Sequence, residues 1–510
     1  LDKNKYDEIF FSSKLNRGRH IEYLHTLSRL YGLSSTHPES SRVLDIGCGT
    51  GHALIPLAIE YPQSEFIGID NSAKQIEYAK NVAKNLNLEN IAFIHSDFVE
   101  YEFNKKFDFI LCCGVFSWIP KDIQVRFLGK LSSLLNNQGV SLINFNLDAG
   151  FQIRNSIWAS IKQLFAQSES SDFRKFLTSF KELIELDYQR PYQFLLYNEV
   201  SRLIDESDSY LLHEILAENV SSFSYSSFNK LLNRNSLSAV CDIRSHKNGF
   251  TRLTTAYVND TAYESLTKLS SNRISSEDIL DVCFGEPFRE ILVVASDRAE
   301  SIASEPNFEI FRSLSFAIMG CQKIEDEEGE VLTLKTQSGR VEKINHKLLK
   351  ELLEYLTLVY PNYLPYGALL NKFSSEDSDI LCRALFESWS RGLISISTYP
   401  PAISDSVFAH PRTTSYIRHL TNNSSNKVLV NLAYESVEVD DLAFKLLPHL
   451  DGQTDKDDIL RLIKVWLNAG EGSIKIDGKV IDDSNILNDN LPILLESTLN
   501  TLKRGGFLLP

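Results

Sequence analysis

The run Val43-Leu44-Asp45-Ile46-Gly47-Cys48-Gly49-Thr50-Gly51 constrains this chain more than any other stretch. An apolar strand enters a turn of alternating glycines, and a helical pattern follows from His52. Glycines at alternate positions allow a tight turn and leave room for a ligand against the main chain. The helix behind then aims its unpaired N–H groups at that ligand. The spacing is D-x-G-x-G-x-G with the acid ahead of the glycines, not the G-x-G-x-x-G of a dinucleotide loop. On its own, such a loop is equally a plain strand-to-helix turn.

The continuation narrows the choice. Phe66-Ile67-Gly68-Ile69-Asp70 is a second strand run whose terminal acid lies 19 residues after Gly51, where a doubly wound fold places a carboxylate for ribose hydroxyls. Ile91 to Phe98 is a third run, carrying Asp97 near its end. Phe107-Asp108-Phe109-Ile110-Leu111-Cys112-Cys113-Gly114 is a fourth, continuous enough to be buried on both faces. A good cap at Ser72 starts a helix to Asn85. A helix after Pro120 and a strand over Val140–Phe145 complete five strands. In order and spacing these pieces resemble the class I S-adenosylmethionine-dependent methyltransferases. The resemblance implies S-adenosyl-L-methionine as cofactor, with Asp45 helping to hold its methionine end through the loop, Asp70 on the ribose and Asp97 at the adenine amino group. It assigns Gly47, Gly49, Gly51, Asn71, Gln75, Phe98 and Gly114 to the same cofactor set.

At 510 residues the chain is too long for one ordinary core. A net charge of −15 argues against a partner gripped through phosphates, so no nucleic acid is expected. Seven cysteines without a C-x-x-C, and eleven histidines without H-E-x-x-H or H-x-H, give neither a disulfide framework nor a metal site. No apolar run reaches the roughly 18 residues of a membrane helix, and no signal peptide opens the chain. The expected setting is the bacterial cytoplasm. Leu1 is not expected to be the natural start.

Before the glycine loop, aromatic Tyr6, Phe10 and Phe11 precede a helix with Ile21, Leu24, Leu27 and Leu30 on one face. Such aromatics pack on the fold or, in a methyltransferase, lie over the cofactor as a lid. The expected architecture is α/β: a Rossmann-like, seven-stranded-type methyltransferase domain followed by helical and α+β (winged-helix-like) domains. The boundaries read as 1–150 for cofactor binding, 151–240 for a helical insert acting as cap or dimer surface, 241–340 for a middle α+β domain and 341–510 for a tandem winged-helix-like unit. Any strands that complete the sheet would lie after the helical insert. Phe288–Ala295 reads as a strand of the middle domain, and Glu325–Glu330 as a solvated acidic turn. In the tandem, helices at Leu348–Val359 and Asp377–Ser390, and again at Asp440–Leu450 and Ile493–Lys503, each end on R-G and a short strand. Neither copy carries a basic recognition face, so protein contact is expected. His213 beside Glu214 is no catalytic pair, because neighbours on a helix do not face each other.

The loop after the fourth strand, Gly114-Val115-Phe116-Ser117-Trp118-Ile119-Pro120, faces the transferable methyl group in this fold. It lacks the N-P-P-Y of DNA N-methyltransferases. Phe116 and Trp118 offer aromatic faces that attract an amine cation and exclude water, which makes them the expected walls of a lysine channel; the competing reading is ordinary core. With the segment Gly68–Ile76, the run Tyr210-Leu211-Leu212-His213-Glu214 and the stretch Phe223–Leu232, this loop resembles the bacterial methyltransferases that carry a methyltransferase regulatory domain. Among them the chain looks most like the rickettsial protein-lysine methyltransferases acting on outer membrane protein B. The resemblance implies a protein substrate with exposed lysines and a dimerisation or middle region. The aromatic-bearing helices between 151 and 200 carry more apolar surface than one small cap needs, so a homodimer through this region is expected. The chain departs from the family pattern at His52, at Ala53 and over Asn144–Phe151, and no catalytic base is evident. Two other functions compete: methylation of a small molecule or lipid, and non-catalytic regulatory binding of S-adenosylmethionine.

Overall fold

The computed structural model describes residues 7, 9–10, 16–186, 190–245, 260–319, 322–324, 331–335, 341–374, 376–469, 475–476, 479–480 and 484–510. Tyr6, Phe11 and the acidic run Glu325–Glu330 lie outside them.

Helix α1 (Ile21–Leu30) leads into β1 (Arg42–Ile46), α2 (Leu54–Glu60), β2 (Glu65–Asp70), α3 (Ala73–Asn85), β3 (Ile91–His95), β4 (Phe107–Cys112), α4 (Lys121–Leu134) and β5 (Leu135–Leu147). The five strands are parallel in the order β3-β2-β1-β4-β5. β4 is buried along its whole length, as its uninterrupted apolar run requires. Ser72 caps α3 by accepting from the Gln75 amide, which satisfies one of the orphan donors of the first turn.

α1 is buried nearly all round rather than on one face. It lies against the sheet on one side and the chain near residue 398 on the other. On that second side its Glu22 pairs with Arg17 and accepts from the Thr398 and Tyr399 amides at 2.6 and 3.0 Å. A buried carboxylate needs such partners, so a polar residue in a helix does not by itself mark an exposed face.

After β5 the chain leaves the sheet as α5 (Asp148–Gln167), α6 (Phe173–Glu185) and α7 (Pro191–Asp205). These helices form an aromatic-rich cluster of their own around Trp158, Ile161, Leu177 and Leu203. The chain then returns as β6 (Ser222–Phe223), β7 (Leu237–Asp242) and β8 (Phe288–Ala295). β8 runs antiparallel between β5 and β7. Phe288–Ala295 is therefore an inner strand of the cofactor-domain sheet, not part of a separate middle domain. Its apolar run identifies a buried strand but carries no mark of its partner β5, which pairs with it from 142 to 152 residues upstream.

Two smaller units follow. In the first, Ser315–Ile318 pairs with Leu364–Pro365 and Ile394–Ser397, packed by helices Lys347–Leu358 and Ser378–Ser390. In the second, a hairpin of Val428–Val430 and Ser436–Glu438 accompanies helices Ser415–Asn423, Asp441–Leu446, Lys456–Asn468 and Ser484–Arg504. The expected helix Asp440–Leu450 breaks into an α-helix and a 3-10 turn at Leu447–His449. Pro448 lacks an amide hydrogen and favours the break. Among the described residues no helix is long and apolar enough to cross a membrane, and no cluster of His, Cys, Asp and Glu has metal-binding geometry.

Candidate active site

Backbone geometry makes the first part of the site. Gly47, Gly49 and Gly51 all have positive φ, +73°, +53° and +75°, a region that L side chains avoid. The Gly47 and Cys48 amides donate to the Ile69 carbonyl at 2.8 and 3.2 Å, which ties the loop to the end of β2. A Cβ on Gly51 would sit 2.7 Å from the Phe93 ring. The alternating glycines thus serve the turn and the packing beneath it at once.

Asp70 joins the same loop to the start of α3. Its Oδ2 accepts from the Gly49 amide at 2.9 Å and its Oδ1 from the Ser72 amide at 2.8 Å. Burial raises its pKa, against the lowering effect of the Ser72, Gly49 and Asn71 amides. A carboxylate has about four lone-pair sites, so acceptor capacity remains on both oxygens. Asp45 is buried on β1; burial pushes its carboxyl up to about 7, opposed by the Arg19 guanidinium and reinforced by Asp70. Arg19 itself pairs with Glu290 of β8 at 3.3 Å.

The loop after β4 closes the far side. Gly114 has φ +75°, and a Cβ there would meet nothing within 4 Å. Its amide donates to Asn144 Oδ1 at 2.7 Å. The Asn146 amide donates to Ser117 Oγ at 2.8 Å, and the Ser221 amide to the Ser117 carbonyl at 2.7 Å. Trp118 is partly buried and stands edge-on to Phe151 of α5, ring centres 6.4 Å apart. It joins the loop to the helical insert. Phe116 points the other way. It is fully buried among Phe127, Phe223 and Phe228 and offers no face to a channel. An aromatic in a loop has no periodic neighbours to reveal its direction, so spacing did not separate it from Trp118.

Of the other residues expected here, Asp97 is exposed after β3 and accepts from the Val99 and Glu100 amides at 2.7 and 3.3 Å. Phe98 turns inward, its ring 4.8 Å from that of Phe127. Asn71 is exposed beside Asp70, and its carbonyl contacts His95 Nε2 at 3.2 Å. Gln75 is buried, and its Oε1 has no hydrogen-bond partner among the described residues; the same holds for Thr50 Oγ1 in the glycine loop and Asn146 Nδ2 at the end of β5. Buried polar atoms are seldom left unpaired. These three orphans belong to the glycine loop, the first turn of α3 and the end of β5, and polar groups of a ligand at the strand ends would satisfy them.

Pattern reading offered the segment before α1 as packing or as a lid over the cofactor but missed its partners across this mouth. Asp7 Oδ1 accepts from the Ser72 hydroxyl at 2.6 Å and the Lys74 amide at 3.1 Å, Phe10 stands edge-on to Tyr78, and the Ile9 carbonyl contacts His213 Nε2 at 2.6 Å. His213 belongs to a π-helix, Leu211–Ile215, an irregularity frequent at functional sites. Arg19, Asn144 and Glu290 were missed as well, because each comes from a different element.

Three family descriptions match the chain: a methyltransferase domain over residues 37–165, a predicted methyltransferase regulatory domain over 207–295, and a PKMT C-terminal winged helix domain over 410–507. The uncharacterized protein RP028 of Rickettsia prowazekii is 32% identical over 224 residues, 42% of this chain and 89% of the relative. A second protein of that organism, RP789, is 24% identical over 517 residues, 97% of this chain and 91% of the relative. The chain belongs to this rickettsial family of class I methyltransferases. Its fold is that of PKMT2 from Rickettsia typhi: TM-score 0.83 at 21% identity, over 98% of this chain and all of that one. PKMT2 has also been solved in complex with AdoHcy.

As a class I methyltransferase the chain uses S-adenosylmethionine. The open space at Gly114, the remaining acceptors on Asp70 and the orphaned polar atoms are compatible with that cofactor at the carboxyl ends of β1, β2 and β4. A polar ligand at this edge of an open α/β sheet is the general rule for such folds.

Proposed function

We propose that the methyltransferase acts on lysine side chains of a bacterial surface protein resembling outer membrane protein B. The observation that carries this reading is the position of Trp118: partly exposed, next to the open space at Gly114, on the seam between cofactor loop and helical insert. Roughly 215 residues after the last strand of the core sheet, including a unit matched by a PKMT winged helix, are more than a small substrate needs.

Bound S-adenosylmethionine supplies an activated methyl group. In this proposal Asp70 accepts the ribose hydroxyls, Asp45 and the glycine loop hold the methionine end, and Asp97 receives the adenine amino group, with Asn71, Gln75 and Gly114 around them. Trp118 walls the lysine path. A free lysine has a pKa near 10.4 and attacks only when neutral. An aromatic wall that excludes water favours the neutral amine by desolvation and holds it in line for transfer. No side chain is assigned as base.

The protein substrate is modified in the bacterial cytoplasm. The enzyme acts as a homodimer through the C-terminal end of α6 and the first turn of α7, where Leu183, Leu186, Tyr192 and Phe194 are exposed. Sedimentation at micromolar concentration is expected to give twice the chain mass, and Leu186→Glu with Phe194→Glu to give monomers; a wild-type monomer would contradict the dimer.

The test of function is incubation with isotopically labelled S-adenosylmethionine and a fragment of rickettsial outer membrane protein B, followed by mass spectrometry. Label on lysine Nε is expected. Label confined to small molecules, or tight cofactor binding without transfer, would overturn the proposal in favour of a metabolite methyltransferase or a regulatory binder.

A further inference from the structure

A cavity lies between the cofactor domain and the C-terminal unit. It holds about 570 Å³, within the usual range for a small-molecule site at a domain boundary. One wall comes from α2 and α3 through Pro56, Ile59 and Tyr78; the other comes from the C-terminal unit, chiefly Ile417, Leu420, Leu429 and Val430. The polar groups among its lining are mostly neutral, with Asn423, Asn426 and Asn431 supplying carboxamides.

Charge decides what fits. No lysine or arginine lines the cavity among the described residues. His52 is held toward its neutral form by burial and the nearby His419. Among the described residues Glu60 is the one carboxylate in the lining, and its Oε2 already receives Tyr434 Oη and His20 Nε2. An anion would enter without a counter-charge, and a cation would compete with donors already in place. Burying an unpaired charge is costly.

The cavity also touches the cofactor loop. His52 follows Gly51 directly, and its Nδ1 meets the Tyr416 hydroxyl from the opposite wall. The His52 and Tyr78 rings are 6.1 Å apart, and Tyr78 in turn stands against Phe10 of the segment crossing the active-site mouth. We propose that this cavity binds an uncharged, largely apolar small molecule, and that its occupancy alters cofactor affinity through His52 and Tyr78. By linkage the cofactor alters affinity for that molecule by the same factor.

The test uses the full chain and two fluorescent probes with the same ring system. Neutral N-phenyl-1-naphthylamine is expected to saturate one site. Its sulfonated analogue, 8-anilinonaphthalene-1-sulfonate, is expected to bind there at least tenfold more weakly. Leu420→Trp fills the cavity from inside and Ala402→Trp from its exposed rim. Each is expected to weaken the neutral probe at least tenfold and to abolish the probe's effect on AdoHcy affinity. If the inner variant fails to fold, the rim variant carries the test. A saturating neutral probe is expected to shift AdoHcy affinity at least threefold in wild type and less in Tyr416→Phe. Probe binding that ignores both tryptophans, equal binding of the sulfonate, or an AdoHcy affinity that does not respond to the probe would overturn the proposal. These outcomes are separate from a failure of the methyl-transfer reading, which loss of AdoHcy binding or of label transfer would reveal without the probes.

Discussion

Around Asp70 nearly every contact is backbone to carboxylate, whereas around Trp118 the contacts are ring against ring. The cofactor side rests on positive-φ glycines and on amides that fix the Asp70 carboxylate. The side proposed for the substrate rests on α5 to α7, which form a separate core and leave large apolar residues in solvent. A surface built from backbone holds one ligand in one geometry. A surface built from packed aromatics adapts to different substrates by changing side chains. Substitutions should therefore act sharply and separately on the two sides.

The largest expected effect is at the glycine loop. Gly51→Ala combines a positive φ with a Cβ only 2.7 Å from Phe93. Left-handed strain of about 1–2 kcal/mol and overpacking of about 1–3 kcal/mol predict a protein that melts well below wild type and binds AdoHcy poorly. An unchanged melting temperature would break the claim that backbone shape governs this side. Next comes Asp70→Ala. Loss of a charge-assisted hydrogen bond, about 1.5–3 kcal/mol, predicts at least tenfold weaker AdoHcy binding by calorimetry. Wild-type affinity would remove Asp70 from the cofactor site.

That contrast also explains what was readable in advance. Asp45, Asp70 and the glycines stand in one contiguous pattern whose spacing is set by a strand, a turn and a helix, so five strands and the turn that joins them were legible. Arg19, Asn144 and Glu290 were not, because they meet only when residues far apart in sequence fold onto one sheet edge. Phe116 and Trp118 are two residues apart and face different cores; composition cannot tell them apart. The place of Phe288–Ala295 in the sheet was hidden for a related reason, since an apolar run announces burial but not its neighbour.

A smaller effect concerns pH. The folded Asp45 carboxyl keeps its proton to about pH 7, while an unfolded aspartic acid releases it near pH 4. The stability this group contributes is fully present below about pH 4 and is lost as pH rises to about 7. A cationic methionine end prefers the ionised carboxylate, so cofactor affinity runs the other way. It should rise by up to about tenfold between pH 6 and 8. Asp45→Asn should flatten that profile; a profile that survives the substitution would assign the titration to another group.

The most direct test of the division between the two sides is Trp118→Ala, followed by turnover on a lysine-bearing protein substrate, AdoHcy affinity and melting temperature. An opened channel admits water, which favours the charged ammonium, and alignment of the attacking nitrogen is lost. The account predicts turnover reduced by about tenfold, with AdoHcy affinity within about twofold of wild type and a small change in melting temperature. A melting temperature lowered by the loss of about 3–5 kcal/mol, with normal specific activity in the folded fraction, would contradict it and make Trp118 part of the core.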